Sequence, residues 1–351
     1  MNFASDNAAG VPPEMLAALA RANDDAAFAY GRDRWTQSVE RRFAELFERE
    51  VALFLVTTGT AANALALAHL TPPWGAVLCH AEAHIATDEC GAPEFFGGGI
   101  KLVGIAGAAG KVTPDGLQLA LDAGQWGGPH HVTPSVLSLS QATEAGTIYR
   151  PDEIRALADV AHARGMAVHL DGARLANALA RLKASPAQVT WQAGVDVLSF
   201  GASKGGALAA EAIVFFNPEQ ARNMEERRKR AGHLVAKHRF VAAQFEAYLA
   251  EDLWLRLAHH ANAVADRLAE GLTAAGHSPV WPVQGNQVFV AFPRAVEERL
   301  RGAGASYYPW STQSLLAGNI VPPGAELVRL VTSFATSAQE VDAFLRIACR
   351  A

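Results

Sequence analysis

The sequence predicts an α/β protein: a large domain with a mostly parallel sheet (residues 1–240), then a small C-terminal α+β domain (241–351). Three observations carry this. From about residue 51, short apolar runs alternate with helical stretches, the order of strand and crossover helix. Several runs, such as Val195–Phe200, are almost continuously apolar, as in strands covered on both faces. From about residue 234 to 275 that rhythm gives way to one long helical stretch rich in Ala and Leu.

Taken in order, Pro12-Pro13 places prolines where a helix can begin, and Glu14 to Ala22 continues it. Val39, Phe43, Leu46 and Phe47 fall at helical spacing on a charged helix. Strands are expected at Val51–Val56, Ala76–Cys79, Ile100–Ile105, Val136–Ser140, Met166–Leu170, Val195–Phe200 and Ala212–Phe216. Asp152–Arg164 reads as a helix with Pro151 in its first turn and Gly165 at its end. The small domain should hold strands at Gln287–Phe292 and Leu327–Val331, a short helix between them, and a last helix after Ser337.

With 351 residues, half of them hydrophobic, the chain has enough apolar surface to order itself, which excludes disorder. No apolar run reaches the ~18 residues that a membrane helix needs. The start, Met1-Asn2-Phe3-Ala4-Ser5-Asp6, lacks the basic and apolar regions of a signal peptide. A net charge of −5 argues against general nucleic-acid binding. Three cysteines without a CxxC pair fit a reducing compartment and imply no metal cage, so a cytoplasmic location is expected.

The strongest chemical signal is Val168-His169-Leu170-Asp171-Gly172-Ala173-Arg174 followed by Ser199-Phe200-Gly201-Ala202-Ser203-Lys204-Gly205-Gly206. Each block is a buried-type strand ending in an ionisable residue, and ligands of open α/β sheets bind at carboxyl strand ends. Lys204 and Asp171 suit pyridoxal phosphate: the amine forms a Schiff base with the aldehyde, and the carboxylate keeps the pyridine nitrogen protonated. A structural Asp–Lys ion pair is the alternative. A third block, Val56-Thr57-Thr58-Gly59-Thr60-Ala61-Ala62-Asn63, turns from strand to helix and offers Gly59, Thr60 and free helix-start amides to a phosphate. Alone it is an ordinary N-cap; with the other two it completes a cofactor set.

In these blocks the chain resembles the threonine aldolase and β-eliminating lyase group of pyridoxal-phosphate enzymes, which have the aspartate aminotransferase fold (fold type I). The resemblance also covers Ser5-Asp6, Tyr30-Gly31, Ala83-His84-Ile85 with Glu89, Asn286-Gln287-Val288-Phe289-Val290 and Arg329-Leu330-Val331-Thr332. Gly128-Pro129-His130-His131, Ser140–Glu144 and Lys229–His233 look closest to phenylserine-aldolase-like members. It implies a PLP-dependent carbon–carbon lyase that cleaves L-3-hydroxy-α-amino acids (threonine, allo-threonine, phenylserine) to glycine and an aldehyde. Another fold type I activity, transamination or β-elimination, would use the same Lys204 and Asp171, and a catalytically inactive binding relative is the rival outside enzymes.

By the same resemblance, Lys204 holds the cofactor beside Ser203, Asp171 pairs with its ring nitrogen, His84 stacks on its face, and Gly59 and Thr60 hold phosphate. Arg174 lies near the ring hydroxyl and the substrate carboxylate, which Arg329 clamps. Ser5 and Tyr30 line the substrate pocket, Tyr30 from a neighbouring subunit of a homodimer or homotetramer. The catalytic set is then Lys204, Asp171, His84 and a histidine before the Val136–Ser140 strand, His130 or His131, that meets the β-hydroxyl. Two departures stand out. Lys237 or Arg239 replaces an Arg that reaches the phosphate across the dimer, and Gln141-Ala142-Thr143-Glu144 replaces Glu-Asn-Thr-His on the aldehyde side.

Other features read as structure. His80, His84 and Asp88 have metal-face spacing but suit a loop better. Gly104, Gly107 and Gly110 make a turn, since the next helix starts near Pro114. Glu225–Arg230 reads as a solvated helix face. Tyr307-Tyr308-Pro309-Trp310 suits either a substrate entrance or packing in the small domain.

Overall fold

The computed structural model describes residues 1–311 and 321–349. Helices α1 (Pro13–Ala22) and α2 (Arg34–Leu46) come first, the latter capped by Asp33, whose carboxylate accepts from the Thr36 amide at 2.9 Å. Then follow β1 (Ala52–Val56), α3 (Gly59–Leu70), β2 (Gly75–His80), α4 (His84–Thr87), α5 (Ala92–Phe96) and β3 (Lys101–Ile105). The middle runs α6 (Pro114–Ala123), β4 (Thr133–Ser140), α7 (Pro151–Ala163), β5 (Ala167–Gly172), α8 (Leu175–Leu182), β6 (Val197–Gly201) and β7 (Glu211–Phe215). Seven strands form one sheet in the order β1-β7-β6-β5-β4-β2-β3. Strands β6, β5, β4, β2 and β3 are parallel, while β7 runs against both its neighbours. This is the mostly parallel sheet that the alternating runs imply.

Each expected strand of this sheet forms, with ends displaced by up to three residues. Side chains alternate along β5, so Val168 and Leu170 join the main core while His169 and Asp171 take the other face. Register then matters more than burial. Ser140, Asp171 and Ser199 are direct partners across β4, β5 and β6, so the three carboxyl ends lie level.

The remaining elements are α9 (Met224–Arg230), α10 (Arg239–Leu249), α11 (Leu253–Ala274), β8 (Gln287–Pro293), α12 (Arg294–Gly302), β9 (Tyr308–Pro309), β10 (Ala325–Val331) and α13 (Ala338–Ala348). The second sheet is antiparallel, β8-β10-β9. The long helical stretch expected over 234–275 is in fact two helices. Glu251 (φ 49°) and Asp252 (φ 54°) take left-handed backbone angles and turn the chain. Neither is the Gly or Pro that would mark such a break. The larger core also runs past residue 240: Phe245, Tyr248 and Trp254 pack in it, and it reaches Ala258. Phe3, from the other end of the chain, belongs to the smaller core with Val288, Leu330 and Phe344.

The charged helix α9 is not wholly solvated. Arg228 is buried, pairs with Glu225 at 3.0 Å, and donates to the Leu55 carbonyl. Tyr307 lies in the smaller core.

Phe43 anchors α2 to the sheet, edge-on to Phe200 at 5.2 Å and to Phe245 at 5.4 Å, with no exposed surface. Phe43→Ala should cost about 3–5 kcal/mol, read as a lower urea midpoint; an unchanged midpoint would show that this cluster does not hold α2.

Candidate active site

A cavity of about 310 Å³ opens at the carboxyl ends of β5 and β6, where Asp171, Ser203, Lys204, His84, Gly59 and Thr60 converge. At one end is the start of α3. Thr58 caps it through a bond from the Ala61 amide at 3.1 Å, and its carbonyl takes the Ala62 amide. The amides of Gly59 and Thr60 are left at the cavity wall, and a Cβ at Gly59 would meet nothing within 4 Å. Two free amides at the positive end of a twelve-residue helix make an anion seat.

Asp171 is held from two sides. The Ala173 amide donates to Oδ1 at 3.0 Å and the Asn63 side-chain amide to Oδ2 at 2.9 Å. Burial opposes its charge, but Lys204, His84 and these bonds outweigh burial and keep its carboxyl below the usual range. Asn63 gives its other hydrogen to Glu89 Oε1 at 2.8 Å, and the same oxygen lies 2.8 Å from His84 Nδ1. A continuous chain of contacts therefore runs from Asp171 through Asn63 and Glu89 to His84. The Glu89 bond, opposed by burial and aided by Glu144 and Asp171, raises the proton affinity of His84. Glu89 itself is pushed up by burial.

Behind Asp171 lies His169, fully buried between Ser138 and Ser199, both at 2.9 Å. Burial lowers it to about 4, so it stays a neutral linker between β4 and β6. Opposite it, Glu211 opens β7 and also lines the cavity. It accepts the Ser203 amide at 3.2 Å, and burial pushes its carboxyl up to about 7.

The substrate-side cations are differently placed. Arg174 is buried and makes a two-pronged pair with Asp6. Its Nε donates to Oδ2 at 2.8 Å and its Nη2 to Oδ1 at 3.0 Å. Among the described residues these bonds engage its Nε and Nη2 and leave Nη1 without an Asp6 contact. Asp6 also accepts from Asn286 at 3.0 Å. Arg329, on β10, has a buried Nε without a hydrogen-bond partner among the described residues and lies 4.3 Å over the Trp310 ring. Burial, then Arg174, lowers its proton affinity, against the opposing charges of Glu144, Asp6 and Asp88. Glu144 is half-buried, and its charge acts on His84, Arg174 and Arg329 together.

Several expected residues lie elsewhere. His130 and His131 are exposed and precede β4. Asp171 is level with Ser140, at the far end of that strand. Each residue between adds a rise of about 3.3 Å, so the strand's full length separates them. The parallel register thus keeps both histidines from the cavity of their own chain, and His84 is the histidine at it. Arg239 bonds the Ala22 carbonyl at 2.8 Å on α1, Lys237 is exposed, and Tyr30 is half-exposed with Lys229 4.8 Å over its ring. Ser5 accepts from the Asn7 amide at 3.1 Å, beside the cavity. Among the described residues no three His, Cys, Asp or Glu side chains are grouped to hold a metal, and none of the described helices is long and apolar enough to cross a membrane. His80 instead lies 3.0 Å from the Gly107 carbonyl.

Asp6, Asn63, Glu89, Glu144 and Glu211 complete the site, although the sequence gives no reason to assign them roles. The donor set fits pyridoxal phosphate: an anion seat at α3, a buried ionised carboxylate, and a lysine between them in one cavity.

Fold and site together define an α/β enzyme of the fold type I class. The beta-eliminating lyase family model matches residues 2–294, and the chain belongs to that family, whose members depend on pyridoxal phosphate. It is 45% identical over 308 residues to the low specificity L-threonine aldolase of Pseudomonas aeruginosa, covering 87% of this chain and 88% of the relative. To the enzyme of the same name from a Pseudomonas species it is 42% identical, with the same coverage. The solved structure of Leishmania major threonine aldolase superposes with a TM-score of 0.91 at 29% identity, over 99% of this chain and 98% of that one.

Removing the Asp6 carboxylate leaves Arg174 buried without a counter-charge. Asp6→Asn should cost about 3–5 kcal/mol in the purified protein. Burial is outweighed by Arg174 and Lys204, so folded Asp6 titrates below its ordinary 3.8. The pair's stability is therefore full above that value and is lost as pH falls through the folded one. The variant should lose this part of the acid sensitivity in thermal melts; an unaltered acid limb would refute it.

Proposed function

We propose that the chain is a pyridoxal-phosphate-dependent aldolase that cleaves L-3-hydroxy-α-amino acids, L-threonine among them, to glycine and an aldehyde. The observation that carries the reading is one cavity holding Lys204, ionised Asp171 and the open start of α3. The names of the two Pseudomonas relatives, at 45% and 42% identity, support the substrate class. Phenylserine and allo-threonine fall within the same class of substrate.

When bound, pyridoxal phosphate supplies an aldehyde that amines can join and a protonated ring that draws electrons from Cα. Lys204 would hold it, Asp171 would keep its ring nitrogen protonated, and Gly59 and Thr60 would seat its phosphate. Arg329, whose Nε has no hydrogen-bond partner among the described residues and which stacks on Trp310, receives the substrate carboxylate and orients the amino acid. His84 takes the proton of the β-hydroxyl as the Cα–Cβ bond breaks, with Glu89 fixing its ring. Glu144 is the second candidate acceptor, because its charge acts on the same cations and on His84. Tyr30, half-exposed and not lining its own cavity, would serve a partner's site in a homo-oligomer. We place the boundary between the domains within α11, where the two cores meet.

L-Threonine should yield acetaldehyde and glycine in equal amounts, and Lys204→Ala should abolish this together with the visible absorbance. Keto acid or ammonia as product would replace the aldolase reading by transamination or elimination. A second prediction concerns pH. A base must be unprotonated, and Glu89 raises His84 above its ordinary 6.5, so the acid limb of kcat/KM should lie above about 6.5. In Glu89→Gln that limb should move to lower pH. If it stays and Glu144→Gln removes it instead, Glu144 is the acceptor.

A further inference from the structure

Glu211 has a place in the cavity that the proposed reaction leaves unused. It is the first residue of β7, directly opposite Gly201 in the antiparallel ladder, and Gly201 is three residues before Lys204. Its Oε1 accepts the amide of Ser203, the residue adjoining the lysine, at 3.2 Å. On the other side of that loop the Tyr248 hydroxyl presses against Gly205 and leaves no room there for a Cβ. The loop is thus fixed between a carboxyl from β7 and a phenol from α10. Four groups face Glu211: Lys204 and Ser203 from the loop, Asp171 from β5 and Tyr248 from α10.

Among the described residues, neither Lys204 nor Glu211 has an opposite charge within ion-pair distance, so Glu211 is not a settled counter-ion. A lysine ammonium cannot attack an aldehyde; only the free amine can, and its proton needs an acceptor. Asp171 is ill suited, since its charge is stabilised by two donors and by the cations around it. The Tyr248 phenol is also unsuited, because it already carries its proton and burial binds that proton more tightly. Glu211 can change state: burial brings its carboxyl to about 7.

On the reading that Lys204 holds an aldehyde cofactor, we propose that Glu211 is the proton partner of Lys204. The lysine Nζ–H bond breaks and a carboxyl O–H bond forms, with one water relaying the proton because the two groups lie beyond ion-pair distance, as the amine becomes nucleophilic, and the transfer reverses when the lysine is released. Net charge in the cavity is unchanged, since ammonium and carboxylate become amine and acid.

The test mixes pyridoxal phosphate with the apo forms of the wild type, Glu211→Gln and Glu211→Asp and follows the rise of visible absorbance across pH. Gln keeps an oxygen for the Ser203 amide but cannot take a proton. The wild-type rate should show a step near 7. In Glu211→Gln the step should vanish and the neutral-pH rate fall roughly a hundredfold, with the final absorbance retained and Glu211→Asp partly restored. A Gln variant with the wild-type profile, or one slower but with the same step, overturns the proposal. Should that variant fail to fold, infrared difference spectra of the wild type across pH 7 decide: no protonated-carboxyl signal overturns it. If wild type gains no absorbance at all, the cofactor reading falls and this proposal with it; a coloured wild type with an indifferent Glu211→Gln sinks this proposal alone.

Discussion

One side-chain amide holds the chemistry of this site in register. Asn63 donates one hydrogen to Asp171 and the other to Glu89, at 2.9 and 2.8 Å. Two buried carboxyls so close would repel one another if both were charged and unpaired. The shared amide donates to both, so it stabilises the charge of Asp171, while Glu89, raised by burial and lowered by its bonds to His84 and Asn63, sits 2.8 Å from His84 Nδ1. Position follows from the same bonds. Asn63 lies on α3, whose first amides form the anion seat, so the helix that would hold a phosphate also sets the acid that would meet a ring nitrogen. His84, at the start of α4, is tied to that frame through Glu89.

What can be read in the sequence follows from locality. Asp171 and Lys204 each end an apolar run within a few residues, and strand direction alone sends such ends to one edge of a parallel sheet. Thr58-Gly59-Thr60 is legible for the same reason, being a strand, a turn and a helix start in succession. Asp6 and Glu211 are not. Asp6 acts on Arg174 across 168 residues, and Glu211 on the lysine loop through an antiparallel strand, which nothing in its own neighbourhood announces. His130 and His131 come from the resemblance alone, and their place before β4 puts them a strand's length from Asp171 in their own chain. The turn at Glu251 and Asp252 is hidden because residues other than glycine supply its left-handed angles.

The charge balance of the molecule sharpens in the same light. A net −5 says nothing of the interior, where Lys204, Arg174 and Arg329 gather among the acids Asp6, Asp171, Glu89, Glu144 and Glu211. Arg174 is engaged by Asp6 through two of its nitrogens, so its role is to shape the wall as well as to attract. Arg329 is the cation left over, its Nε buried and its face on Trp310.

The N-terminal residues make this arrangement dependent on both sheets. The Val331 amide bonds the Phe3 carbonyl, the Phe3 amide bonds Ser306, and Phe3 fills the smaller core beside Phe344 at 5.0 Å. Three residues later Asp6 reaches Arg174 after β5 and Asn286 just before β8. The segment therefore ties the end of a large-sheet strand to the small sheet that carries Arg329. Any shift of β10 against β5 must stretch the Asp6 bonds or unseat Phe3, and both are buried. The first six residues of the chain thus tie β10, and Arg329 on it, to the Arg174 end of β5.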